Sequence, residues 1–189
     1  MKDLFRGELV HLTNEQPETM AGSEVRWQRD TEFHRLADSE PASLRSEKKV
    51  REWMEKRMSG EDPQRYSFSI CTLADDRLIG FIGLYLPQVR GCDGWVGIAI
   101  GEREFWGRGY GTDAMRLILR YAFMELNLHR VSLALHEYNT RALRSYEKTG
   151  FRAEGRVRGE QLREGRRTDG IFMGILREEW LQMQAQEAK

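Results

Sequence analysis

The sequence predicts a mixed α/β (α+β) fold, in which helices flank a central mixed β-sheet. Four consecutive segments alternate between strand and helix patterns, at residues 95–100, 112–126, 130–135 and 139–149. This alternation is typical of parallel strands joined by a helical crossover. Strand pairs with turn residues between them come before and after this unit, which indicates antiparallel strands on both sides. A wholly parallel sheet is therefore not expected.

Composition favours one domain covering residues 1–189, with a core at about 8–177 and a polar C-terminal tail. Lysine plus arginine (30) equals aspartate plus glutamate (30), and this neutrality argues against a general nucleic-acid binder. Apolar runs fall well short of the ~20 residues of a membrane span. The N-terminus lacks the apolar core of a signal peptide, which predicts a cytoplasmic protein without a membrane partner.

Cysteines and histidines give no metal-ligand spacing, so no metal is predicted. Cys71 lies in a strand-like run and is expected to be a small core residue. Cys92 lies in a glycine-flanked loop. A disulfide between them is not expected in the cytoplasm.

The first third of the chain predicts one strand and two helices, at residues 8–12, 17–29 and 43–58. Pro41 lies ahead of the second helix and Gly60 beyond its end, as is common at helix boundaries. That helix carries an apolar stripe formed by Val50, Trp53, Met54 and Met58. The intervening residues 29–42 are mixed in character and are predicted to be irregular.

The middle of the chain predicts a hairpin, a loop, a strand and a long helix. Residues 66–73 and 77–86 are strand-like and separated by Ala-Asp-Asp, a good hairpin turn. Residues 87–94 form a loop with a proline and two glycines, and residues 95–100 form the next strand. The helix at 112–126 is apolar nearly all round, which predicts that it is largely buried.

The last third predicts a strand at 130–135 and a helix at 139–149, with Asn139 as N-cap and Gly150 as C-terminal cap. Residues 151–161 and 167–176 then form a hairpin through Glu164-Gly165. Its arginines alternate with acidic residues, which is typical of a solvated hairpin rather than a nucleic-acid patch. Residues 177–186 are predicted to be a polar, frayed tail.

Gly107, Gly109 and Gly111 lie between the strand at 95–100 and the long helix. The first amides of a helix have no partner inside it, and its dipole adds partial positive charge there. Glycines let a ligand approach the backbone closely. This arrangement binds phosphate. A P-loop is excluded because no Lys-Ser/Thr pair follows the glycines.

A dinucleotide-binding site is the alternative for these glycines, because Gly109, Gly111 and Ala114 match its spacing. Such a domain needs two successive parallel halves and an acidic residue after the next strand. Glu137 lies near that position, but the chain then closes with antiparallel strands. The order of elements therefore disfavours this alternative.

Two linked signatures resemble the GNAT superfamily of acyl-CoA-dependent N-acetyltransferases. The family's glycine-loop motif aligns with Trp106-Gly107-Arg108-Gly109-Tyr110-Gly111. Its second signature, Asn-x-x-Ala-x-x-x-Tyr followed by Gly-Phe, aligns with Asn139, Ala142, Tyr146, Gly150 and Phe151. The chain end, with Asp169 in the last strand and Leu-Arg-Glu-Glu-Trp after it, resembles the branch of ribosomal-protein N-terminal and spermidine acetyltransferases. The resemblance spans about residues 8–180.

The resemblance implies acetyl-CoA as co-substrate, held where two strands splay apart. Amides of the glycine loop would bind its pyrophosphate, and free backbone groups of the preceding strand would pair with its pantetheine arm. An amide of that strand would also donate to the oxyanion. Trp106 departs from the Gln or Arg of the motif; its backbone N–H still serves, and Arg108 is a candidate to compensate. The implied cofactor-binding residues are Ile98, Ala99, Ile100, Trp106, Gly107, Arg108, Gly109, Tyr110, Gly111, Thr112, Asn139, Ala142 and Tyr146.

Tyr146 is, by the same resemblance, the general acid for the departing CoA thiolate. It shares a helical face with Asn139 and Ala142; the alternative is that it only packs its helix onto the sheet. The family often places a basic glutamate on the glycine-loop strand, and residues 96–100 carry none. Glu137 and neighbouring His136 are the candidate bases, with a solvated strand-end role as the alternative for each.

The acceptor implied by the resemblance is a primary amine, either a peptide N-terminus or a small molecule, acetylated directly without an acyl-enzyme. The missing carboxylate favours an amine of low pKa such as an α-amino group. Four aromatic residues are candidates for an acceptor pocket or, alternatively, for the core: Trp27, Trp53, Tyr85 and Trp95. A homodimer is possible, since dimers are common in the family. The rival function is a non-catalytic acyl-CoA-binding sensor or scaffold.

Overall fold

One seven-stranded sheet organises the protein. The computed structural model describes residues 3–14, 17–58, 62–87 and 93–187. The strands are β1 (Val10–Thr13), β2 (Arg65–Thr72), β3 (Leu78–Tyr85), β4 (Asp93–Ile100), β5 (Arg130–His136), β6 (Arg152–Arg163) and β7 (Arg166–Leu176). The helices are α1 (Pro17–Trp27), α2 (Thr31–Ala37), α3 (Glu47–Met58), α4 (Tyr110–Arg120), α5 (Thr140–Lys148) and α6 (Arg177–Glu187). The predicted fold class is confirmed.

The strands lie in the order β1-β2-β3-β4-β5-β7-β6, and β4–β5 is the parallel pair among antiparallel neighbours. β4 pairs with β3 from Trp95 to Ile100, but with β5 only from Asp93 to Trp95. The two parallel strands therefore separate beyond Trp95, as the splayed arrangement requires. Backbone groups of residues 97–100 that face away from β3 are left without a strand partner.

The core lies between the sheet and α4, whose apolar side chains form one buried cluster with those of the strands. Ile118 and Phe123 are fully buried there, beside Val131 and Ile175. Burying a side chain of this size stabilises the fold by about 1.5–3 kcal/mol. The helix predicted at 112–126 is α4 followed by one π turn, Tyr121–Glu125. Its largely buried character is as predicted.

Two predictions about local structure were wrong. The segment expected to be irregular contains α2, which begins after Asp30; the Asp30 carboxylate accepts hydrogen bonds from the amides of Glu32 and Phe33 at 3.0 and 3.2 Å. The segment expected to be a frayed tail forms α6. Trp180 anchors α6, because its ring is buried against Phe123 with 5.4 Å between ring centroids.

Other local predictions agree with the structure to within a few residues at each end. Asn139 is the N-cap of α5 and accepts from the amide of Ala142 at 3.2 Å, and Gly150 follows that helix with φ of 95°. Cys71 is buried as expected. The predictions for Gly60, Cys92 and the middle of the loop at 87–94 lie outside the described residues.

Candidate active site

A cavity of about 440 Å³ opens where β4 and β5 separate. The end of β4, the glycine loop, the exposed face of α5 and the C-terminal part of α2 surround it. Eleven of the sequence-predicted cofactor residues line it: Ile98, Ala99, Ile100, Trp106, Gly107, Gly109, Gly111, Thr112, Asn139, Ala142 and Tyr146. Arg108 and Tyr110 do not. The Tyr110 ring packs instead on Phe105, at 4.8 Å between centroids.

The glycine loop presents a row of free amides to this cavity. Gly107 and Gly109 have φ of 72° and 95°, values that residues with a Cβ adopt only under strain. Gly109 is the N-cap of α4. Within the described part of the chain, none of the backbone N–H groups from 107 to 112 has a hydrogen-bond partner. The six donors and the helix dipole together make this loop a candidate anion-binding site.

The Asp113 side chain holds the start of α4 against residues 8–10. This role was not predicted from the sequence. Its Oδ2 accepts hydrogen bonds from the amides of Glu8, Leu9 and Val10, at 2.9, 2.8 and 3.0 Å. Asp113 is buried and lies in the first turn of α4, where a negative charge is favourable. The sequence signal for this role was an acidic residue directly after the glycine loop. It ties β1 to the phosphate-binding end of α4.

Trp106, where the chain departs from the family motif, is held by contacts to its indole N–H and to its ring. Its indole N–H donates to the carbonyl of Ile100 at 2.7 Å. The guanidinium carbon of Arg141 lies 3.8 Å from the centre of its ring. Arg108 instead donates to the carbonyl of Glu104 at 3.1 Å. The cation nearest the tryptophan at the cavity therefore comes from α5 and not from the loop itself.

Tyr146 lines the cavity from α5, and no described residue hydrogen-bonds to its hydroxyl. Thr112 and Ser145, whose hydroxyls are 2.8 Å apart, join α4 to α5 beside it. Some of the Tyr146 surface remains open to the cavity, but its surroundings are apolar. Burial raises the pKa of Tyr146 to about 12, and the nearby charge of Arg141 acts in the opposite direction. The phenol is therefore protonated at neutral pH and able to donate.

Glu137 does not line the cavity. Its Oε1 accepts from the amide of Asp169 at 2.9 Å, and its Oε2 forms an ion pair with Arg156. His136 does line the cavity and is buried, with its ring stacked on Tyr138 at 5.1 Å. Its Nδ1 has no hydrogen-bond partner among the described residues. Of the two candidate bases, His136 alone faces the reaction space.

Glu160 is a cavity-lining carboxylate that the sequence did not single out. The β6–β7 register shifts between Val157 and Gln161, and this bulge places the Glu160 side chain over Gly170. A Cβ at Gly170 would overlap the carboxylate. Because Gly170 of β7 pairs with His136 of β5 and lies next to the Glu160 carboxylate from β6, Glu160 and His136 lie at about the same level of the sheet, on the two strands that flank β7. Bulges commonly re-aim side chains in this way.

The end of α2 forms the opposite wall of the cavity. Its carbonyls are held by side chains from across the cavity: Tyr138 donates to Arg35 at 2.6 Å and Asn139 to Leu36 at 3.2 Å. The β6–β7 hairpin adds a bond from Gln161 to Ser39 at 3.0 Å. This wall contributes Phe33, Leu36, Ala37 and Ser39.

The aromatic residues considered for an acceptor pocket do not line this cavity. Trp27 is buried, and its indole N–H donates to Glu102 at 3.0 Å. Trp53 lies beside α1 and β3, at a separate small depression. The guanidinium of Arg65 lies over the ring of Tyr85, and the ring of Trp95 packs edge-on against Phe172. Trp27 therefore belongs to the core, and the other three lie on the surface away from the cavity.

Two further features lie apart from the cavity. Ligand atoms of His11, Cys71 and Asp76 lie within 4.8 Å of one another at the β1–β2 edge. His11 Nε2 and Asp76 Oδ1 are 2.7 Å apart, and this bond satisfies both groups. In the described part of the chain, no helix has the length and apolar character needed to cross a bilayer.

The cavity thus combines a splayed parallel pair, backbone amides without described partners and a tyrosine on the next helix. Residues 8–152 match the family model of the acetyltransferase (GNAT) domain. The chain belongs to this family, and the predicted membership is confirmed.

Relatives and solved structures that are similar to this chain are also described as acetyltransferases. The chain is 36% identical to the probable N-acetyltransferase YjcK of Bacillus subtilis, over 59% of this chain and 60% of that protein. It is 35% identical to YdaF of the same organism, provisionally assigned as a ribosomal N-acetyltransferase, over 57% and 58%. These matches span about three-fifths of each relative. The crystal structure of spermidine N-acetyltransferase from Vibrio cholerae with CoA and spermine has a similar fold, with a TM-score of 0.79, 24% identity and coverage of 91% and 98%.

Proposed function

We propose that this protein transfers an acetyl group from acetyl-CoA directly to a primary amine. The observation that carries this proposal is the loop at 107–112, whose six amides have no described partner and whose residues Gly107, Gly109, Gly111 and Thr112 line the cavity between the splayed strands. The amides bind the pyrophosphate of the cofactor. The free backbone groups of residues 97–100 pair with its pantetheine arm, and one amide among them stabilises the oxyanion of the tetrahedral intermediate.

Tyr146 donates a proton to the CoA thiolate as the intermediate collapses. A thiol has a pKa near 8.5 in water, whereas burial raises the pKa of the Tyr146 phenol to about 12. The same apolar surroundings also raise the pKa of the CoA thiol, so the difference between the pKa values of the thiol and the phenol becomes smaller. Proton donation of this kind accelerates a reaction by roughly 10²–10⁴-fold. Neither cysteine is needed, because the amine attacks the thioester directly.

The acceptor enters beside Glu160 and His136. The Glu160 carboxylate has no ion-pair partner among the described residues, so it attracts a cationic amine to the mouth of the cavity. His136, which lines the cavity, receives the proton of the attacking amine through water. An α-amino group has a pKa near 7.7–8.0 and needs little help, whereas the amines of spermidine resemble lysine, near 10.4. We therefore propose a peptide N-terminus as the preferred acceptor.

The test is thiol release from acetyl-CoA with an N-terminal peptide, spermidine and an aminoglycoside as acceptors. We expect the peptide to have the highest kcat/KM, with an acid limb near the pKa of its own amine. A preference for spermidine would overturn the choice of acceptor. CoA binding without transfer to any amine would favour the second candidate, a non-catalytic acyl-CoA sensor. The observation that favours that candidate is the ion pair that occupies Glu137.

A further inference from the structure

We infer that Arg141 binds a phosphate group of the cofactor, a role that we call the clamp. This arginine comes from α5 and takes the place of the side chain that the family motif has at position 106. The inference rests on the proposed acyl-CoA site. It concerns which cation neutralises the diphosphate that the loop amides bind.

Trp106 holds the Arg141 guanidinium at the glycine loop. The indole is itself fixed, because its N–H donates to the Ile100 carbonyl at 2.7 Å. The guanidinium carbon lies 3.8 Å from the ring centre, within the range of a strong cation–π contact. Trp106 directly precedes Gly107, and Arg141 and Gly107 both line the cavity.

Arg141 has no counter-ion among the described residues. Arg103, which also lies over Trp106 at 5.2 Å, forms ion pairs with Asp30 and Glu32. Arg141 forms none, although it is half-buried and lines the cavity. Burial lowers the pKa of its guanidinium, Arg103 acts in the same direction, and Glu32 and Tyr146 act against it. A desolvated cation without a partner is unfavourable until an anion binds beside it.

A diphosphate fits this requirement better than a carboxylate does. The loop amides and the helix dipole can each stabilise part of its charge, and a planar guanidinium binds phosphate oxygens through two parallel hydrogen bonds. Arg108, the other candidate, is bonded to the Glu104 carbonyl and does not line the cavity. Arg144 and Lys148 also line the cavity from α5, one and two turns further along, where a second phosphate group can reach them.

Calorimetry with CoA, 3′-dephospho-CoA and phosphate-free pantetheine tests the clamp on native protein and Arg141→Gln. A charge-assisted hydrogen bond contributes about 1.5–3 kcal/mol, or roughly 10–100-fold in affinity. We expect Arg141→Gln to lose this factor for CoA and dephospho-CoA, and nothing for pantetheine at millimolar concentration. Arg116→Gln, an exposed arginine on α4 away from the cavity, is the control and should bind CoA as the native protein does.

Three results would overturn the clamp: unchanged CoA affinity in folded Arg141→Gln, an equal loss for pantetheine, or a loss confined to CoA. The last would assign Arg141 to the 3′-phosphate. Arg141→Lys keeps the charge without the planar stack and should give a smaller loss, which guards against misfolding of the first variant. Failure of the native protein to bind CoA overturns the proposed function together with the clamp. If the native protein binds CoA and Arg141→Gln binds it equally well, only the clamp is overturned.

Discussion

The Oε1 atom of Glu137 accepts a hydrogen bond from the backbone N–H of Asp169 at 2.9 Å, while Oε2 pairs with Arg156. The backbone of Glu137 also donates to Asp169, at 3.0 Å. This carboxylate therefore joins the end of β5 to β7. The geometry favours a role for Glu137 in holding β5 and β7 together rather than in proton transfer.

We predict that Glu137→Gln keeps kcat/KM within a few-fold of native, because the amide oxygen still accepts from Asp169. Glu137→Ala should lower the free energy of unfolding by about 1–2 kcal/mol, since both partners are lost. Arg156→Gln is the matched control and should cost less, because the Arg156 side chain is more than half exposed in its ion pairs with Glu137 and Asp169. Urea titration and steady-state kinetics measure these effects. A loss of activity of ~10³-fold in Glu137→Gln would show that Glu137 is a true base after all.

Gly109→Val is predicted to weaken CoA binding at least tenfold, or about 1.4 kcal/mol. Its φ of 95° strains any residue with a Cβ, and the added side chain lies beside the free amides. Gly165→Val is the control, because Gly165 has a similar positive φ of 72° in the distant β6–β7 turn, with open space around it. Calorimetry should show native CoA affinity for the control. Equal effects in both variants would mean that strain alone, and not the loop, is responsible.

Tyr146→Phe should lower kcat by on the order of 10²-fold and leave CoA affinity almost unchanged. The ring stays and only the proton donor is removed. Tyr121→Phe, which alters a tyrosine packed between Tyr66 and Phe68 away from the cavity, should leave kcat unchanged. Turnover of Tyr146→Phe within a factor of about two would assign the proton to water or to the amine.

His34 should make the protein less stable below about pH 6.5. Its ring is buried, neither nitrogen has a partner among the described residues, and desolvation lowers its pKa; Arg45 and Arg163 act with burial, and Asp38 against it. The unfolded chain therefore binds a proton first. Stability is complete above the unfolded pKa near 6.5 and declines as pH falls toward the folded pKa, by at most about 1.4 kcal/mol per pH unit.

The measurement for this prediction is the free energy of unfolding in urea at pH 7.5 and 5.5, for native protein and His34→Leu. The leucine variant should lose less stability than native between the two values, since it lacks the titrating ring. Identical losses would show that other groups account for the acid sensitivity.

The backbone of the glycine loop could be predicted from sequence because its signal is local: three glycines followed by the start of a helix. Its role in binding phosphate stays a prediction. The helix α2 could not be predicted in this way. Seven residues show little periodicity, and this helix is held largely by bonds from Tyr138 and Asn139, more than a hundred residues away.

Glu160 and Arg141 were missed for a related reason. A bulge that turns Glu160 inward depends on how β6 registers with β7, which one strand's sequence does not reveal. The partner of Arg141 is a tryptophan 35 positions earlier, brought near by the fold. The tail was misjudged because one buried side chain, Trp180, anchors an otherwise polar helix.

The three hydrogen bonds from residues 8–10 to Asp113 have a practical consequence for shortening the protein. Removing the first ten residues would delete a strip of backbone that looks peripheral, yet it would leave a buried carboxylate unsatisfied at the base of the phosphate loop. An unsatisfied buried charge costs several kcal/mol unless it takes up a proton or admits water. Because Val10 also belongs to the buried core, a shortened version would lose fold stability as well as the support of this loop, and a purification tag is better placed after α6.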